Sequence, residues 1–346
     1  MRIAHIIGGA ALGGAEAFYE RLAIAQHMAG DTVLAVIRRN PERALRLAEA
    51  GLRPVELGFG SPLDLFTGPR LRRLLGDFAP EVTVAWQNRA AWFAPRGPWA
   101  LVGRLGGYYN LKYYRRCEHL VGNTQDLVRW IIAQGWPAAR VHHLPNFAHD
   151  LQGAAPATLP APPGARRLLA MGRLHANKGF DLLLRAMQRL PEAHLSLAGE
   201  GPERAALERL AQELGVAGRV AFLGWREDVG ALLAACEVFV CPSRHEPLGN
   251  VVLEAWSAGR PVVAAAAQGP SELVLDGETG LLAPLENEAA LAEAIGALLA
   301  DARRAAAIAS AGRAAFLREH AEAPVLARWR DFLQAVSPAR DLRSNA

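Results

Sequence analysis

Residues 3–37 read IAHIIGGAALGGAEAFYERLAIAQHMAGDTVLAVI. The apolar run Ile3–Ile7 predicts a buried strand, the glycines after it predict a tight loop, and a helix is predicted from about residue 15 to residue 28. A second apolar run, Val33–Ile37, predicts the next strand. The chain therefore opens with a strand–helix–strand unit, which is typical of a parallel sheet with helices on its faces.

The same alternation continues in two blocks that are separated by a linker. The other strands predicted in the first block are Val55–Leu57, Val82–Trp86, Leu120–Gly122 and Val141–Leu144. Residues 153–164 are rich in Pro, Ala and Gly, which is typical of a linker. The strands predicted after it are Leu168–Met171, Leu195–Ala198, Val220–Leu223, Val238–Cys241, Val262–Ala265 and Gly280–Ala283. We therefore expect an α/β protein with two doubly wound parallel sheets, whose ligands bind at the carboxyl ends of the strands.

The composition is that of a globular protein, with 51% hydrophobic and 21% charged residues among 346. The longest apolar stretch, Pro261–Ala267, is far shorter than the roughly 20 residues that a membrane-spanning helix needs. The glycines near the N-terminus favour a strand and loop over a signal peptide. The three cysteines show no metal-binding or disulfide spacing, so we expect a cytoplasmic protein without a zinc site.

Positive charge is concentrated in the first half of the chain. Residues 1–165 contain 18 Lys and Arg against 12 Asp and Glu, whereas the remainder contains 20 against 22. This excess indicates an anionic partner, such as a phospholipid surface or a phosphorylated substrate, or else a solvated arginine-rich surface. Residues 112–116, KYYRR, are the candidate for membrane contact, and the alternative is a helix that packs Tyr109 and Tyr113 on the core. Nucleic acid is not an expected partner because the basic residues are scattered.

The loop after the predicted strand Leu168–Met171 carries two cations. It reads GRLHANKG over residues 172–179, and a helix is predicted from about residue 180 to residue 190. Lys178 stands at the start of this helix, where the helix dipole is already positive, so an anion is needed to compensate. Arg173 and Lys178 together suit a diphosphate, although a solvated basic loop is the alternative for this motif alone.

A second motif, PSRHEPLGNVVLEA at residues 242–255, follows another predicted strand. Glu254 stands in an apolar helical run, where an unpaired carboxylate is costly, so we expect polar partners such as the two hydroxyls of a ribose. The N–H groups of Asn250 and Val251 are expected at the helix start, where they suit phosphate oxygens. Glu246 is then expected to accept hydrogen bonds from sugar hydroxyls. An ordinary surface helix is the alternative.

In their order along the chain, these motifs resemble those of the retaining GT-B glycosyltransferases of family four, and the resemblance covers nearly the whole chain. It implies that the donor is a nucleotide-diphosphate sugar and that Arg173, Lys178 and Glu246 act in catalysis. The two cations then bind the diphosphate, Glu246 contacts the donor sugar, and Glu254 binds the ribose. The expected donor-binding residues are Gly13, Gly14, Arg173, Lys178, His245, Glu246, Gly249, Asn250, Val251 and Glu254.

The N-terminal half matches the family in one loop and departs from it in another. Residues 13–16, GGAE, resemble the loop that approaches the donor phosphates and the acceptor, so Glu16 is an expected acceptor or sugar contact. Many members carry a histidine after the strand equivalent to Val82–Trp86, where it contacts the donor sugar. That stretch reads WQNRAAW here, and we expect Asn88 or Arg89 to provide the polar contact.

The resemblance also implies an organisation and a mechanism. The expected domains are an acceptor-binding domain at 1–160, a donor-binding domain at 161–323, and a helix and tail at 324–346 that cross back to the first domain. Retention of configuration requires the acceptor hydroxyl to attack from the face that the nucleotide diphosphate leaves. The leaving phosphate accepts the proton, and the two cations stabilise its charge in place of a metal. We expect no metal and no cofactor, because the sequence contains no Asp-x-Asp motif and no cluster with metal-ligand spacing.

The expected donor is a UDP-sugar, with a GDP-sugar as the next candidate. The expected acceptor is a hydroxyl of a cell-envelope glycan or glycolipid such as lipopolysaccharide. We expect a cytoplasmic enzyme, with peripheral binding to the inner face of the plasma membrane as a further hypothesis.

Three other interpretations remain open from the sequence. An NADP-dependent oxidoreductase would use the opening strand–helix–strand unit, with Arg38 and Arg39 on a 2′-phosphate. The glycines of residues 8–14 do not match G-x-G-x-x-G. This interpretation also gives no role to Arg173, Lys178 and Glu254. A nucleotide-sugar epimerase shares the architecture, and a non-catalytic nucleotide-sugar-binding or membrane-docking protein is the third alternative.

Overall fold

The structure is a computed structural model that describes residues 1–9, 13–60 and 64–338. The chain forms two compact units, of which the first is Met1–Asn146 together with the chain from Val325, and the second is Phe147–Pro324. This division falls earlier than the boundary at residue 160 expected from the linker. The physical reason is that residues 147–160 bond to the second unit, as in the hydrogen bond from Ala157 N to Ala231 O at 2.9 Å.

The first unit is built on one parallel sheet of seven strands. The strands are β1 Arg2–Ile7, β2 Thr32–Arg38, β3 Val55–Leu57, β4 Val82–Trp86, β5 Ala100–Leu105, β6 His119–Gly122 and β7 Val141–His143. Their order in the sheet is β3-β2-β1-β4-β5-β6-β7, and neighbouring strands pair in parallel. The helices of this part of the chain are α1 Gly14–Met28, α2 Pro41–Glu49, α3 Thr67–Phe78, α4 Gln87–Phe93 and α5 Gln125–Ala133. The predicted doubly wound parallel sheet is confirmed.

Strand β5 is absent from the sequence prediction, although all six of its residues are buried. Arg104 interrupts its apolar pattern, which hid the strand from a search for hydrophobic runs. The guanidinium of Arg104 lies against the rings of Trp86 and Phe18, at 5.3 and 5.5 Å, and donates to Asn146 Oδ1 at 2.5 Å. Burial lowers the pKa of Arg104 to about 10. Aromatic faces and neutral oxygens thus allow an arginine in a central strand.

The second unit repeats the plan with six parallel strands. These are β8 Arg166–Met171, β9 Ala193–Ala198, β10 Val220–Gly224, β11 Val238–Cys241, β12 Val262–Ala265 and β13 Leu281–Ala283, in the order β10-β9-β8-β11-β12-β13. Its helices are α6 Phe180–Ala186, α7 Arg204–Glu213, α8 Val229–Ala235, α9 Asn250–Ser257, α10 Gln268–Leu273, α11 Glu288–Ala300 and α12 Ala302–Ala315. In this unit too, the predicted alternation is confirmed. Because all strands are parallel, the loops that follow them lie at one edge of the sheet.

Helix α13, Glu322–Val336, joins the first unit from Val325 onward. Trp329 is fully buried and stacks on Trp86, with the ring centroids 6.4 Å apart and the planes 16° from parallel. Phe332 packs against His142 at 4.7 Å. These aromatic contacts attach the helix to β4 and β7. Within the described ranges, no helix is long and apolar enough to cross a membrane.

His5 is a fully buried histidine in the centre of the first sheet. Trp86 Nε1–H donates to His5 Nδ1 at 3.1 Å, which leaves the ring proton on Nε2, where Gln26 Oε1 lies 2.6 Å away. Burial lowers the pKa of His5 to about 4, because water cannot solvate the charged ring. The neutral tautomer is therefore the folded form.

This burial predicts a loss of stability in acid. The pKa of His5 is lower in the folded chain than its ordinary 6.5, so the unfolded chain binds more protons between these values. The free energy of unfolding should fall by about 3 kcal/mol from this residue as the pH drops from 6.5 to 4. Urea unfolding of the wild type and of His5→Asn across this range measures the effect. If the free energy of unfolding changed equally with pH in the two proteins, this prediction would be contradicted.

Candidate active site

Two loops of the second unit carry half of the predicted donor residues. The first, residues 172–179, follows β8, and the second, residues 242–249, follows β11, the neighbouring strand of the sheet. Backbone N–H groups of Arg244 and His245 both donate to Asn177 O, at 2.8 and 3.2 Å. The two predicted motifs, about 70 residues apart in sequence, therefore form one bonded surface.

Glycine is required where these loops approach each other and their neighbours. Gly179 has φ +62°, and a side chain there would overlap the carbonyl oxygen of Pro242. Gly199, with φ +144°, lies as closely against the carbonyl of Gly172. A larger residue at Gly179 or Gly199 would push the loops apart. The backbone atoms that it would meet cannot move without disturbing the edge of the sheet. Gly199 leaves no signal in the sequence, because only its packing partner shows why glycine is required there.

The structure brings Lys178 and Glu246 together. Lys178 ends a short 3-10 helix and forms an ion pair with Glu246 Oε2. Glu246 is only 8% exposed, and its other oxygen, Oε1, lies 3.3 Å from the N–H of Gly249. Ser243 Oγ lies 3.5 Å from Oε2. The carboxylate is thus held on several sides and keeps a fixed orientation.

Unlike those of Lys178 and Glu246, the side chains of Arg173 and His245 are exposed. Arg173 forms no ion pair with any residue that the structure describes, and it follows Gly172 in the first loop. An exposed guanidinium in the loop that also carries Lys178 is free to meet an anionic ligand. His245 precedes Glu246 and points its backbone N–H at Asn177.

Helix α9 presents its N-terminus at the same loop. Gly249 caps it with φ +93° and without a side-chain cap, so the first N–H groups belong to Asn250 and Val251. These groups and the helix dipole favour negative charge. Glu254 lies one turn further on, on the face of Asn250, and is half-buried between fully buried neighbours. The arrangement places an anion-binding helix end next to a carboxylate that accepts hydrogen bonds.

Arg244 is a residue of this site that the sequence analysis did not single out. Its guanidinium makes two hydrogen bonds to Asp181, at 2.5 and 2.7 Å, and two to Glu286, at 2.6 and 3.1 Å. It also donates to Ala176 O at 3.0 Å. These bonds raise the pKa of Arg244, and its guanidinium lowers the pKa of Asp181. Arg244 therefore fixes the second loop to the first loop and to α6.

In the first unit, Gly13 and Gly14 begin α1, and Glu16 lies in its first turn. Glu16 is 5% exposed and accepts a hydrogen bond from Gln87 Nε2 at 3.0 Å. A side chain at Gly9 or Gly13 would overlap the oxygens of Glu16. The glycines of this loop therefore make room for a buried carboxylate. The remaining loop residues, 10–12, lie outside the described ranges.

Gln87, which directly precedes the predicted contacts Asn88 and Arg89, stands at the junction of β4 and α4 with φ +63°. A non-glycine residue in this region is strained and is common at functional sites. Arg89 is exposed and donates to Phe59 O at 3.0 Å, and Asn88 Oδ1 is buried without a hydrogen-bond partner in the described part of the chain. Gln87 could not be singled out from the sequence, because neither its strained backbone nor its hydrogen bond to Glu16 produces a sequence pattern.

Comparison with known proteins identifies the family of the chain. The family described as glycosyl transferases group 1 matches residues 165–301. The lipopolysaccharide core biosynthesis glycosyltransferase LpsE of Rhizobium meliloti (strain 1021) is 36% identical over 84% of this chain and 86% of its own length. LpsD of the same organism is 36% identical over 87% of this chain and 89% of its own length.

Among solved structures, Anabaena Alr3699/HepE in complex with UDP superposes with a TM-score of 0.84, covering 97% of this chain and all of that one, at 21% identity. At this identity the likeness establishes the fold alone. Two parallel-sheet units with cations and a held carboxylate at the strand ends define a glycosyltransferase of the GT-B type. The chain belongs to the group 1 family of glycosyl transferases, also called family four. The resemblance seen in the sequence is confirmed, and the oxidoreductase and epimerase alternatives are not favoured.

The role of Arg244 in fixing the loops can be measured as a coupling energy. A double-mutant cycle with Arg244→Met and Asp181→Leu should give more than about 1 kcal/mol in urea unfolding, since the pair belongs to a network with Glu286 and Ala176 O, which the bidentate pair Arg226 and Asp228 lacks. The exposed pair Arg226 and Asp228 is a matched control in the same unit, expected below about 1 kcal/mol. A coupling no larger than that of the control would show that Arg244 does not fix the loops.

Proposed function

We propose that this chain is a retaining glycosyltransferase that uses a nucleotide-diphosphate sugar, with a UDP-sugar first and a GDP-sugar next. The observation that carries the proposal is the ion pair of Lys178 with Glu246, beside the N-terminus of α9. It combines a cation for phosphate, N–H groups for phosphate and a carboxylate for sugar hydroxyls at one sheet edge. The UDP complex of the similar structure supports uridine as the first base to test.

The roles of the side chains follow from their charges. Arg173 and Lys178 bind the diphosphate oxygens, and the N–H groups of Asn250 and Val251 add partial positive charge. Glu246 accepts from hydroxyls of the donor sugar. Glu254 accepts from the two ribose hydroxyls, which suits a half-buried carboxylate on an apolar helix.

Transfer then proceeds without a protein nucleophile. The acceptor oxygen forms a bond to the anomeric carbon on the face from which the nucleotide diphosphate departs. The bond from that carbon to the phosphate oxygen breaks with its electron pair, and a phosphate oxygen takes the acceptor proton. Arg173, Lys178 and the helix N–H groups stabilise the charge on the leaving group before and during the reaction.

We also propose that the reaction needs neither a metal ion nor a cofactor, since two cations and a helix N-terminus are available to stabilise the charge of the diphosphate. Within the described residues, no group of three His, Cys, Asp or Glu side chains is placed to hold a metal ion. The acceptor is proposed to be a cell-envelope glycan or glycolipid such as lipopolysaccharide, which the names of LpsE and LpsD support. Three free, buried cysteines suit a cytoplasmic location.

Thermal denaturation with UDP tests the donor site. UDP should raise the melting temperature of the wild type, because a ligand that binds the folded state stabilises it. Glu254→Ala should lose this effect while the protein remains folded, since the ribose loses its acceptor. Glu293→Ala, an exposed position on α11, is the matched control and should keep the effect. Full stabilisation of Glu254→Ala by UDP would refute the ribose assignment.

Transfer rates give the second readout of this proposal. Arg173→Ala and Lys178→Ala should each slow transfer by about 10² to 10³, the scale for losing one preorganised charge. Arg185→Ala removes an exposed arginine of α6 and should leave the rate unchanged. Excess chelator should also have no effect. Strict dependence on added magnesium or manganese would rule out the metal-independent mechanism.

We further propose that residues 112–116 contact an anionic membrane surface. The segment is a 3-10 turn, Leu111–Tyr114, and Tyr114 is fully buried, so its tyrosines serve largely to pack the turn on the core. Lys112, Arg115 and Arg116 remain exposed and form no ion pair with the described residues. Trp92, 49% exposed, lies against Tyr113 at 5.8 Å and adds an interfacial aromatic side chain.

Liposome flotation distinguishes membrane binding by residues 112–116 from a purely structural role of this segment. Changing Lys112, Arg115 and Arg116 to Ser should reduce binding to anionic liposomes at low salt, since each cation near an acidic membrane contributes about 1 kcal/mol. Binding of the wild type should weaken as salt is raised.

A matched control removes three exposed arginines of the second unit, Arg185, Arg189 and Arg209. This triple variant carries the same charge change and should bind as the wild type does. Unaltered binding of the 112–116 variant would show that the segment is purely structural.

A further inference from the structure

A cavity of about 400 Å³ lies in the first unit, where β2 and β3 end and α3 begins. Its lining includes Arg39, Asp64, Phe66, Thr67 and Arg70. This is the carboxyl edge of the sheet, the edge at which parallel α/β sheets bind ligands. None of the donor residues described above lines it.

Two arginines give the cavity positive charge. Arg39 follows β2, Arg70 lies in the first turn of α3, and both are exposed. Neither forms an ion pair within the described ranges, in contrast to Arg43 and Arg46, which both pair with Glu20 at 2.8 and 2.7 Å. Two guanidinium groups at one concave site suit an oxyanion such as phosphate or carboxylate.

Asp64 lines the same cavity as an ionised carboxylate and offsets one of the two positive charges, which leaves the cavity with a net positive charge, and its oxygens are held by donors of the turn. These oxygens accept from the N–H groups of Gly60, Phe66 and Thr67 at 2.8 to 3.1 Å, and from Thr67 Oγ1 at 2.6 Å. The hydroxyl and N–H donors lower the pKa of Asp64, so the carboxylate stays ionised and fixes the turn. Thr67 Oγ1 in turn accepts from Phe59 N at 3.1 Å. The floor of the cavity is thereby preorganised.

The other walls suit a sugar that carries such a group. Phe66 lines the cavity although its side chain is 76% exposed, so a ring face is available to the apolar side of a ligand. Arg89 donates to Phe59 O and holds the turn beside the cavity, which gives this residue a positioning role in the first unit. Arg39, considered above for a 2′-phosphate, has no assigned task in a glycosyltransferase.

We propose that this cavity binds an anionic group, a phosphate or a carboxylate, on the sugar acceptor. The inference rests on the proposed function and deepens it by naming the chemistry of the acceptor. It also assigns part of the positive charge of the first half of the chain to substrate recognition. Arg39 and Arg70 bind the oxyanion, and Phe66 packs on the attached sugar.

Isothermal titration of the full chain tests this, with glucose 6-phosphate and glucose as probes and the donor site saturated with UDP. The wild type should bind glucose 6-phosphate and not glucose. Arg39→Ser/Arg70→Ser should weaken this binding about tenfold or more, because charge-assisted pairs to the phosphate are lost. Arg38→Ser/Arg72→Ser removes the same charge from exposed neighbours that do not line the cavity, and should change the Kd less than about twofold.

Several outcomes would overturn the inference. These are no binding of glucose 6-phosphate by the wild type, equal binding of glucose, or equal weakening in both double variants. A loss of anionic liposome binding in Arg39→Ser/Arg70→Ser alone, with unchanged binding of glucose 6-phosphate, would assign the cavity to lipid headgroups instead. UDP binding is measured separately, so its failure refutes the donor proposal, and the sugar-phosphate titration without UDP still decides the inference.

Discussion

The close approach of Gly179 to the carbonyl of Pro242 is the constraint on which the proposed donor site depends. β8 and β11 are neighbours in the sheet, yet their loops come into register only because no side chain separates them at this point. The hydrogen bonds from the second loop to Asn177 then form, and the carboxylate of Glu246 reaches Lys178. A preorganised site needs such rigid support, because a charge displaced by about 1 Å loses much of its effect.

The three cations of the two loops differ in the number of carboxylates with which they pair. Arg244 is saturated by Asp181 and Glu286, so it serves the scaffold and not a ligand. Lys178 is paired with one carboxylate, whereas Arg173 is exposed and unpaired among the described residues. A ligand diphosphate would therefore meet one available guanidinium and one ammonium whose partner, Glu246, is the proposed acceptor for sugar hydroxyls. Because the less exposed cations have carboxylate partners, the basic residues of these loops are compatible with a stable fold.

Much of the fold could be predicted because its signals are local. Apolar runs such as Ile3–Ile7 and Val82–Trp86 lie close to the observed strands, and Gly172 and Gly179 mark real turns with positive φ. β5 was missed because Arg104 breaks its pattern, and its compensation by Trp86, Phe18 and Asn146 comes from distant parts of the chain. Local periodicity carries no information about such partners.

The sequence by itself determined the class of protein, since two rounds of strand–helix alternation and the motifs after β8 and β11 are continuous stretches of chain. Only the tertiary structure decided how the motifs work. It paired Lys178 with Glu246, gave Arg244 its two carboxylates, placed the side chain of Gln87 against Glu16, and lined one cavity with Arg39 and Arg70. The physical reason is that each of these features joins groups far apart in sequence, and their distance and burial are set by packing rather than by residue type.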